Sequence, residues 1–251
     1  MAKAAKPRMS LADVMALLEA AGSEQTRKTY RRHGAEDPMF GVSFATLKTL
    51  VKRIGVDHSL AVELWGTRNF DARTLATKIA DPAAMSPADL DRWASETRAR
   101  LCGGYLAMLA AEGPHGGVKV TEWTASADAN VRATGWTLLG HLAMIDTTTP
   151  DVWFLAHIAT ITAKIHGQPS AERETMNMAI IQMGSRNAAL RVAATAAAAR
   201  IGAVDIDHGD TACKTPDAAT YIDKTWTHSA GKGFESPAAH ERSREPMRTR
   251  C

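Results

Sequence analysis

Apolar residues recur three and four positions apart along almost the whole chain, which is the spacing of one helical face. LADVMALLEA, from residue 11, follows this rule and has Ser10 in place to cap it. SFATLKTLVKRIG does the same: Phe44, Leu47, Leu50, Val51 and Ile54 form one stripe, Ser43 can cap it, and Gly55 can stop it. HSLAVELWG, FDARTLATKIADP, SPADLDRWASETRARL, GGVKVTEWTAS, DANVRATGWTLLGHLAMI, DVWFLAHIATITAKIHG, AERETMNMAIIQMGS and NAALRVAATAAAARIG each predict a helix. Breaks fall at DP, SP, GP, TP, QPS and RN, which are turn or cap signals. Strand-type alternation is confined to AVDID near residue 203, an edge strand or an extended connection.

Two of these helix pairs resemble each other. LWGTRNFDARTLATKIADP and EWTASADANVRATGWTLLGHLA each have a Trp ending one helix, a short polar turn, and a helix with an Arg in its first turn. RNAALRVAATAAAARIG echoes the pattern. Self-similar helix pairs predict an all-α chain built as an α-solenoid of the HEAT or armadillo kind; an irregular helical bundle is the alternative. One helical-repeat domain is expected over residues 1–226, ending in a helix from Pro216 to about Trp226. The rest, THSAGKGFESPAAHERSREPMRTRC, is polar and lacks an apolar stripe, so residues 227–251 read as a disordered tail.

Composition changes this picture little. The net charge of the 251 residues is +3. Residues 1–60 hold ten Lys and Arg against six Asp and Glu, and the remainder holds twenty against twenty-one. Any contact with a polyanion is therefore expected at the N-terminal part or at local patches. The three cysteines, Cys102, Cys213 and Cys251, are widely spaced and form no CxxC. That favours a reducing, cytoplasmic setting over a disulfide framework or a zinc knuckle. No apolar run reaches the roughly 18 residues of a membrane span, and MAKAAKPRMS lacks the apolar centre of a secretory signal.

LWGTRNFDARTLA at 64–76, the helix carrying Trp93, and above all EWTASADANVRATGWTLL at 122–139 resemble the HEAT-like-repeat DNA alkylation-repair proteins, the alkylpurine DNA glycosylase family. The likeness covers roughly residues 10 to 200. It implies a C-shaped solenoid whose basic concave face holds duplex DNA, with no cofactor. It also implies removal of cationic N3- or N7-alkylated purines without a base-flipping pocket. In that family an Asp one turn after a Trp stabilises the sugar cation and positions water. An Arg and a further Trp on later repeats clamp the DNA backbone. Trp93 and Arg132 fall where the family has its first Trp and its Arg. The Asp position is Thr97, and the second Trp position is Gln182, so this chain departs from the pattern at the residue that carries the chemistry.

A cationic alkylpurine is already a good leaving group, so what the reaction asks of the protein is negative charge near the developing oxocarbenium ion. Thr97 has none. Glu96 is adjacent, but one residue along a helix is about 100° of rotation. Either it leans over as a substitute carboxylate, or it is a surface charge paired with Arg100 at i+4. Trp93 is a site residue or an interhelix core anchor; Trp65, Trp123 and Trp136 sit on apolar stripes and read as core. Arg132 opens a helix, where the dipole disfavours a cation, so a partner is expected: a phosphate, or Asp128 at i−4. Arg73 has the same place in the earlier repeat and reads as structural or as a second backbone contact. Lys48, Lys52, Arg92, Arg98 and Arg100, with Arg27, Lys28, Arg31, Arg32 and Arg53, are candidates for phosphate neutralisation; a solvated helix face is the default for each alone.

Asp205, Asp207, His208, Asp210 and Cys213 are metal-capable residue types, but their spacing fits no zinc or calcium loop. A turn at 208–210 followed by a capped helix accounts for the segment, so no metal is expected. GxGxxG, P-loop, HExxH and GxSxG are absent. The reading is a DNA-binding repeat protein related to alkylation repair, a glycosylase if Glu96 takes over the missing carboxylate. The alternative is a non-enzymatic solenoid that binds a protein partner. Oligomeric state is left open.

Overall fold

The computed structural model describes residues 8–97 and 100–250, and the side chain of Arg100 lies outside that description. Among the described residues fourteen α-helices follow one another: α1 (Leu11–Ala20), α2 (Glu24–Arg32), α3 (Phe44–Ile54), α4 (His58–Gly66), α5 (Phe70–Ile79), α6 (Pro87–Glu96), α7 (Arg100–Ala111), α8 (Gly116–Thr124), α9 (Ala129–Ile145), α10 (Asp151–Lys164), α11 (Ser170–Gly184), α12 (Ala188–Ile201), α13 (Ala218–Ala230) and α14 (Pro237–Arg242). Their starts are chemically marked. Ser10, Ser23, Ser43, Asp57, Asn69, Ser86, Asp128, Asn187, Asp217 and Ser236 each accept a hydrogen bond from a first-turn amide of the helix that follows. Gly55 ends α3 at φ +75°, where a side chain would be strained.

From α4 on, the helices pair and the pairs stack. Helices α5, α7, α9, α11 and α13 pack in succession as one layer, and α4, α6, α8, α10 and α12 lie behind them. A single apolar core runs the length of the stack. It includes Leu60, Leu64, Trp65, Leu75, Trp93, Leu106, Leu139, Ile180 and Leu190. Each fully buried large apolar side chain contributes about 2 kcal/mol, so the stack is held by burial while the caps set where helices begin. The layers curve: residues 32–34, after α2, and residues 207–213, after α12, line the same cavity. This is the C-shaped solenoid of helical repeats.

Of the two readings of AVDID the extended connection is the one found: no strand ladder occurs among the described residues, and there is a lone bridge between Gly22 and Val42. Val204 and Ile206 are buried while Asp205 and Asp207 are exposed, so the alternation reflects an extended segment packed on helices. The helix α2 was not predicted because its one buried residue is Tyr30, whose hydroxyl donates to the Val42 carbonyl at 2.6 Å.

The tail is also ordered as far as Arg250. After α13 and α14 the chain crosses the C-terminal ends of the front layer. The Ala238 amide donates to the Ser185 carbonyl at 3.0 Å, Arg242 reaches the Met144 carbonyl at 3.4 Å, and Arg248 pairs with Glu112 at 2.8 Å. Lys78 Nζ donates to the carbonyls of Arg248 and Arg250 at 3.1 and 2.8 Å. Cations at helix C-termini meet the negative end of the dipole and the unpaired carbonyls there. The tail is held by these polar bonds, which is why it shows no apolar stripe.

Candidate functional site

A cavity of about 410 Å³ opens in the concave face. Its walls are the starts of α7 (Gly103), α9 (Asn130, Thr134) and α11 (Ala171), the end of α2 (Arg32, His33), Thr97, and the 207–213 loop. Three parallel helices thus point their N-terminal halves toward it, the positive ends of their dipoles. A smaller cavity of about 190 Å³ adjoins it through Thr97 and is bordered by Asp37, Arg68, Arg73, Glu96 and Cys102.

Trp93 lies inside the protein. It is fully buried and stacks face to face on Trp65, with ring centroids 4.1 Å apart and planes within 2°. It presents no exposed face, as a core anchor between helices does. The register explains this: Leu90, Trp93, Ala94 and Thr97 share the inward side of α6. Thr97 ends that helix, 4% exposed, and its hydroxyl donates to the Trp93 carbonyl at 2.7 Å.

The Arg100 side chain, the i+4 partner considered for Glu96, lies outside the described residues, but Glu96 has other partners. Its Oε2 accepts from Trp65 Nε1 at 2.7 Å and from Arg73 Nη2 at 2.8 Å. Arg73 also donates to the carbonyls of Trp65 and Glu96, and its guanidinium lies 4.7 Å over the Trp65 ring. Arg73 is therefore a tie between repeats, and burial, opposed by Glu96, draws its pKa below the ordinary arginine value. The neighbouring Cys102 thiol is pushed up to about 12 by burial.

Arg132 is held in the same way one repeat on. Its partner is Glu172, 2% exposed, at 3.0 to 3.1 Å from Nε and 3.0 Å from Nη2. Trp136 Nε1 donates to the same carboxylate at 3.1 Å, and Arg132 Nη1 reaches the carbonyls of Ser126 and Ala127. A third set joins Trp123 Nε1 and Lys119 to Asp91, with Lys119 also on Glu122. A Trp N–H, a cation and a carboxylate from another helix recur as one tie. Glu172 and Lys119 were not singled out from the sequence. The repeated Trp and Arg were visible there, but their carboxylate partner is 40 residues from Arg132.

Gln182 faces α9. Its amide lies 3.4 Å from His141 Nδ1, and Gly140 makes room for it, since a Cβ there would sit 1.9 Å from Gln182 Oε1. Arg92 is exposed and pairs with Asp89 at 2.8 Å. Lys48 and Lys52 stand on α3, partly buried and exposed, in no ion pair among the described residues. Arg98 lies outside the described residues, as does the side chain of Arg100. Arg32 and Arg68 are exposed beside the two cavities and enter no ion pair among the described residues. Arg68 holds φ +60°, unusual for a non-glycine residue.

In the 205–213 segment, Asp207 accepts from the Gly209 amide at 2.8 Å, and His208 Nε2 meets Thr215 Oγ1 at 3.1 Å. Cys213 is exposed at the cavity wall. Among the described residues no three His, Cys, Asp or Glu side chains converge as metal ligands, and no helix is long and apolar enough to cross a membrane.

Comparison with known proteins agrees with this architecture. The sequence model of the DNA alkylation repair enzyme family matches residues 14–222. An uncharacterized protein of Listeria innocua and another of Listeria monocytogenes are each 28% identical over 215 residues, covering 82% of this chain and 93% of theirs. A solved structure superposes with a TM-score of 0.80 at 28% identity, covering 90% of this chain and 96% of that one. It is described as a new family of proteins related to the HEAT-like repeat DNA glycosylases with affinity for branched DNA structures.

Proposed function

The chain belongs to the DNA alkylation repair enzyme family, and from that membership we propose that it binds DNA on its concave face without excising alkylated bases. The observation that carries the second half is the state of the two residues, Thr97 and Glu96, at and beside the missing carboxylate's position. Thr97 is uncharged and bonded to its own helix. Glu96 is occupied by Trp65 and Arg73, so turning it toward a sugar would strand a Trp N–H and an arginine. That position then offers no free carboxylate to an oxocarbenium ion.

Three features support DNA as the ligand. Helix starts converge on the concave cavity, where phosphates are favoured. Arg32 and Arg68 stand exposed beside it. The structural neighbour is described as having affinity for branched DNA. Arg132, the family's clamp residue, contributes to the fold here through Glu172, and Gln182 packs on α9; neither is a primary DNA contact. Lys48, Lys52 and Arg92 are peripheral contacts.

Two assays test this. Base release is measured from duplexes containing N7-methylguanine and N3-methyladenine, and binding is followed by anisotropy on a linear duplex and a four-way junction across a salt series. The expected result is no release, and binding that weakens with salt. Release that Glu96→Gln abolishes would make the protein a glycosylase. Absence of binding at low salt would end the DNA reading in favour of a protein-binding solenoid.

A further inference from the structure

We propose that the outer faces of α10 and α12 dock a second copy of this chain, in a two-fold dimer whose two α10 helices run antiparallel. These faces belong to the back layer and line no part of the concave cavity, so the dimer does not depend on the DNA reading.

Along the back layer the outward residues change character. The exposed positions of α4, α6 and α8 include charge: Glu63 on the first, Asp91 and Arg92 on the second, Glu122 on the third. On α10 the exposed positions between Asp151 and Lys164 are Val152, Leu155, Ala156, Ala159 and Ala163, and that stretch holds no Asp, Glu, Lys or Arg. At helical spacing these five fall within about 100° of one face. The adjoining α12 exposes Ala188, Val192, Ala196 and Ala199. Val152 is 69% exposed, Leu155 42% and Val192 72%. A contiguous apolar patch of this kind marks an interaction surface, whereas single exposed apolar residues do not.

The order of residues along α10 selects the occupant. The bulky ones, Val152 and Leu155, stand in its N-terminal half, and the small ones, Ala159 and Ala163, in its C-terminal half. Two α10 helices packed antiparallel about an axis near residues 157 and 158 set Val152 of one copy against Ala163 of the other, and Leu155 against Ala159. Each large side chain then meets an alanine, and each contact occurs twice. The same arrangement brings the Asp151 end of each helix beside the Lys164 end of the other and opposes the two helix dipoles. A parallel pairing would set bulk against bulk and like ends together.

The size of the patch sets the affinity. Fourteen residues make α10 about 21 Å long, and with α12 roughly 10 Å away the two faces span on the order of 400 Å² per copy. A standard interface buries about 800 Å² per partner. The patch is the apolar centre of such an interface, with a polar rim supplying the rest, and the dimer is expected at micromolar rather than nanomolar concentrations.

Sedimentation velocity of the full chain over a concentration series reads this equilibrium. Wild type should pass from monomer to dimer as concentration rises. Ala159→Glu sets two like charges close to the axis, and Val152→Lys buries two cations against alanines. Each should raise the dissociation constant at least about tenfold, and since both positions are exposed, the thermal melt by circular dichroism should not change. Register is read by cross-linking in a background of Cys213→Ser and Cys251→Ser, with Cys102 buried. Val152→Cys combined with Ala163→Cys should form disulfide-linked dimers on mild oxidation, because the two positions are about 16 Å apart on one helix and cannot bridge within a chain. Val152→Cys alone should stay monomeric on a denaturing gel. A wild type that is monomeric at every concentration overturns the proposal, as does a dimer that both Ala159→Glu and Val152→Lys leave intact. Cross-linking of Val152→Cys alone as efficient as that of the pair overturns the antiparallel arrangement.

Discussion

Replacing Glu172 by alanine should cost far more stability than replacing Glu96, although both carboxylates join a Trp N–H to an Arg. Glu172 is 2% exposed and takes bonds from two nitrogens of Arg132 and from Trp136 Nε1. Breaking a buried pair by removing one partner costs roughly 3–5 kcal/mol. Arg132 keeps 21% exposure and two carbonyl partners, which places Glu172→Ala near the lower end, about 3 kcal/mol. The Glu96 side chain is 39% exposed, and Arg73 keeps its bonds to the Trp65 and Glu96 carbonyls in the alanine variant. Solvent screening limits that pair to about 1 kcal/mol. Urea unfolding followed by circular dichroism and tryptophan fluorescence measures both, with the variants compared at a common slope. A cost for Glu172→Ala under 1 kcal/mol, or a larger cost for Glu96→Ala, would refute the view that burial, not the triad itself, sets the strength of these ties.

Burial pushes the His141 imidazole down to about 4 from 6.5, so the unfolded chain takes up a proton that the native state refuses. Stability from this group is complete above pH 6.5 and falls as pH drops toward 4, by up to about 3 kcal/mol; denaturation midpoints of His141→Gln against pH should lack that component. Arg248 and Glu112 are 7% and 15% exposed, and Arg248→Ala should cost about 3 kcal/mol and speed amide exchange at the C-terminal ends of α5 and α7. Cys102, buried with its thiol raised to about 12, should resist iodoacetamide at pH 8 in the native protein while Cys213 reacts; peptide mapping tells them apart. Arg32→Ala should lower the slope of log affinity against log salt on linear duplex by about 1.

Most of the helices, their caps at Ser10 and Ser43, and the stop at Gly55 were legible because capping and periodicity are local. Trp65, Trp123 and Trp136 were legible as core for the same reason. Trp93 was readable too: Leu90, Trp93, Ala94 and Thr97 already mark one face of α6, and that stripe argues for the core. The partner of Arg132 was not readable, since the local choice was Asp128 and the actual one is Glu172 on another helix. The ordered tail escaped because it is fixed by carbonyls of Lys78, Met144 and Ser185, and backbone acceptors leave no trace in a side-chain pattern. Nor could sequence show that the 207–213 loop faces Arg32, more than 170 residues away, because curvature of the stack brings them together.

The ties also bear on how DNA would be held. Arginines that a motif assigns to phosphate are here neutralised from within: Arg73 by Glu96, Arg132 by Glu172. Arg186 and Arg248 are buried on carbonyls and on Asp151 and Glu112. Such cations neutralise no phosphate, so they displace none of the counterions condensed on DNA. With a net charge of +3, sequence-independent attraction rests on scattered exposed cations such as Arg32, Arg68 and the lysines of α3, and on the helix starts. A protein so equipped gains little from plain duplex and must take its discrimination from shape and from hydrogen bonds inside the concavity. Its salt slope should then be shallow, and a preference for irregular over paired DNA should persist as salt is raised, because shape rather than charge would carry it.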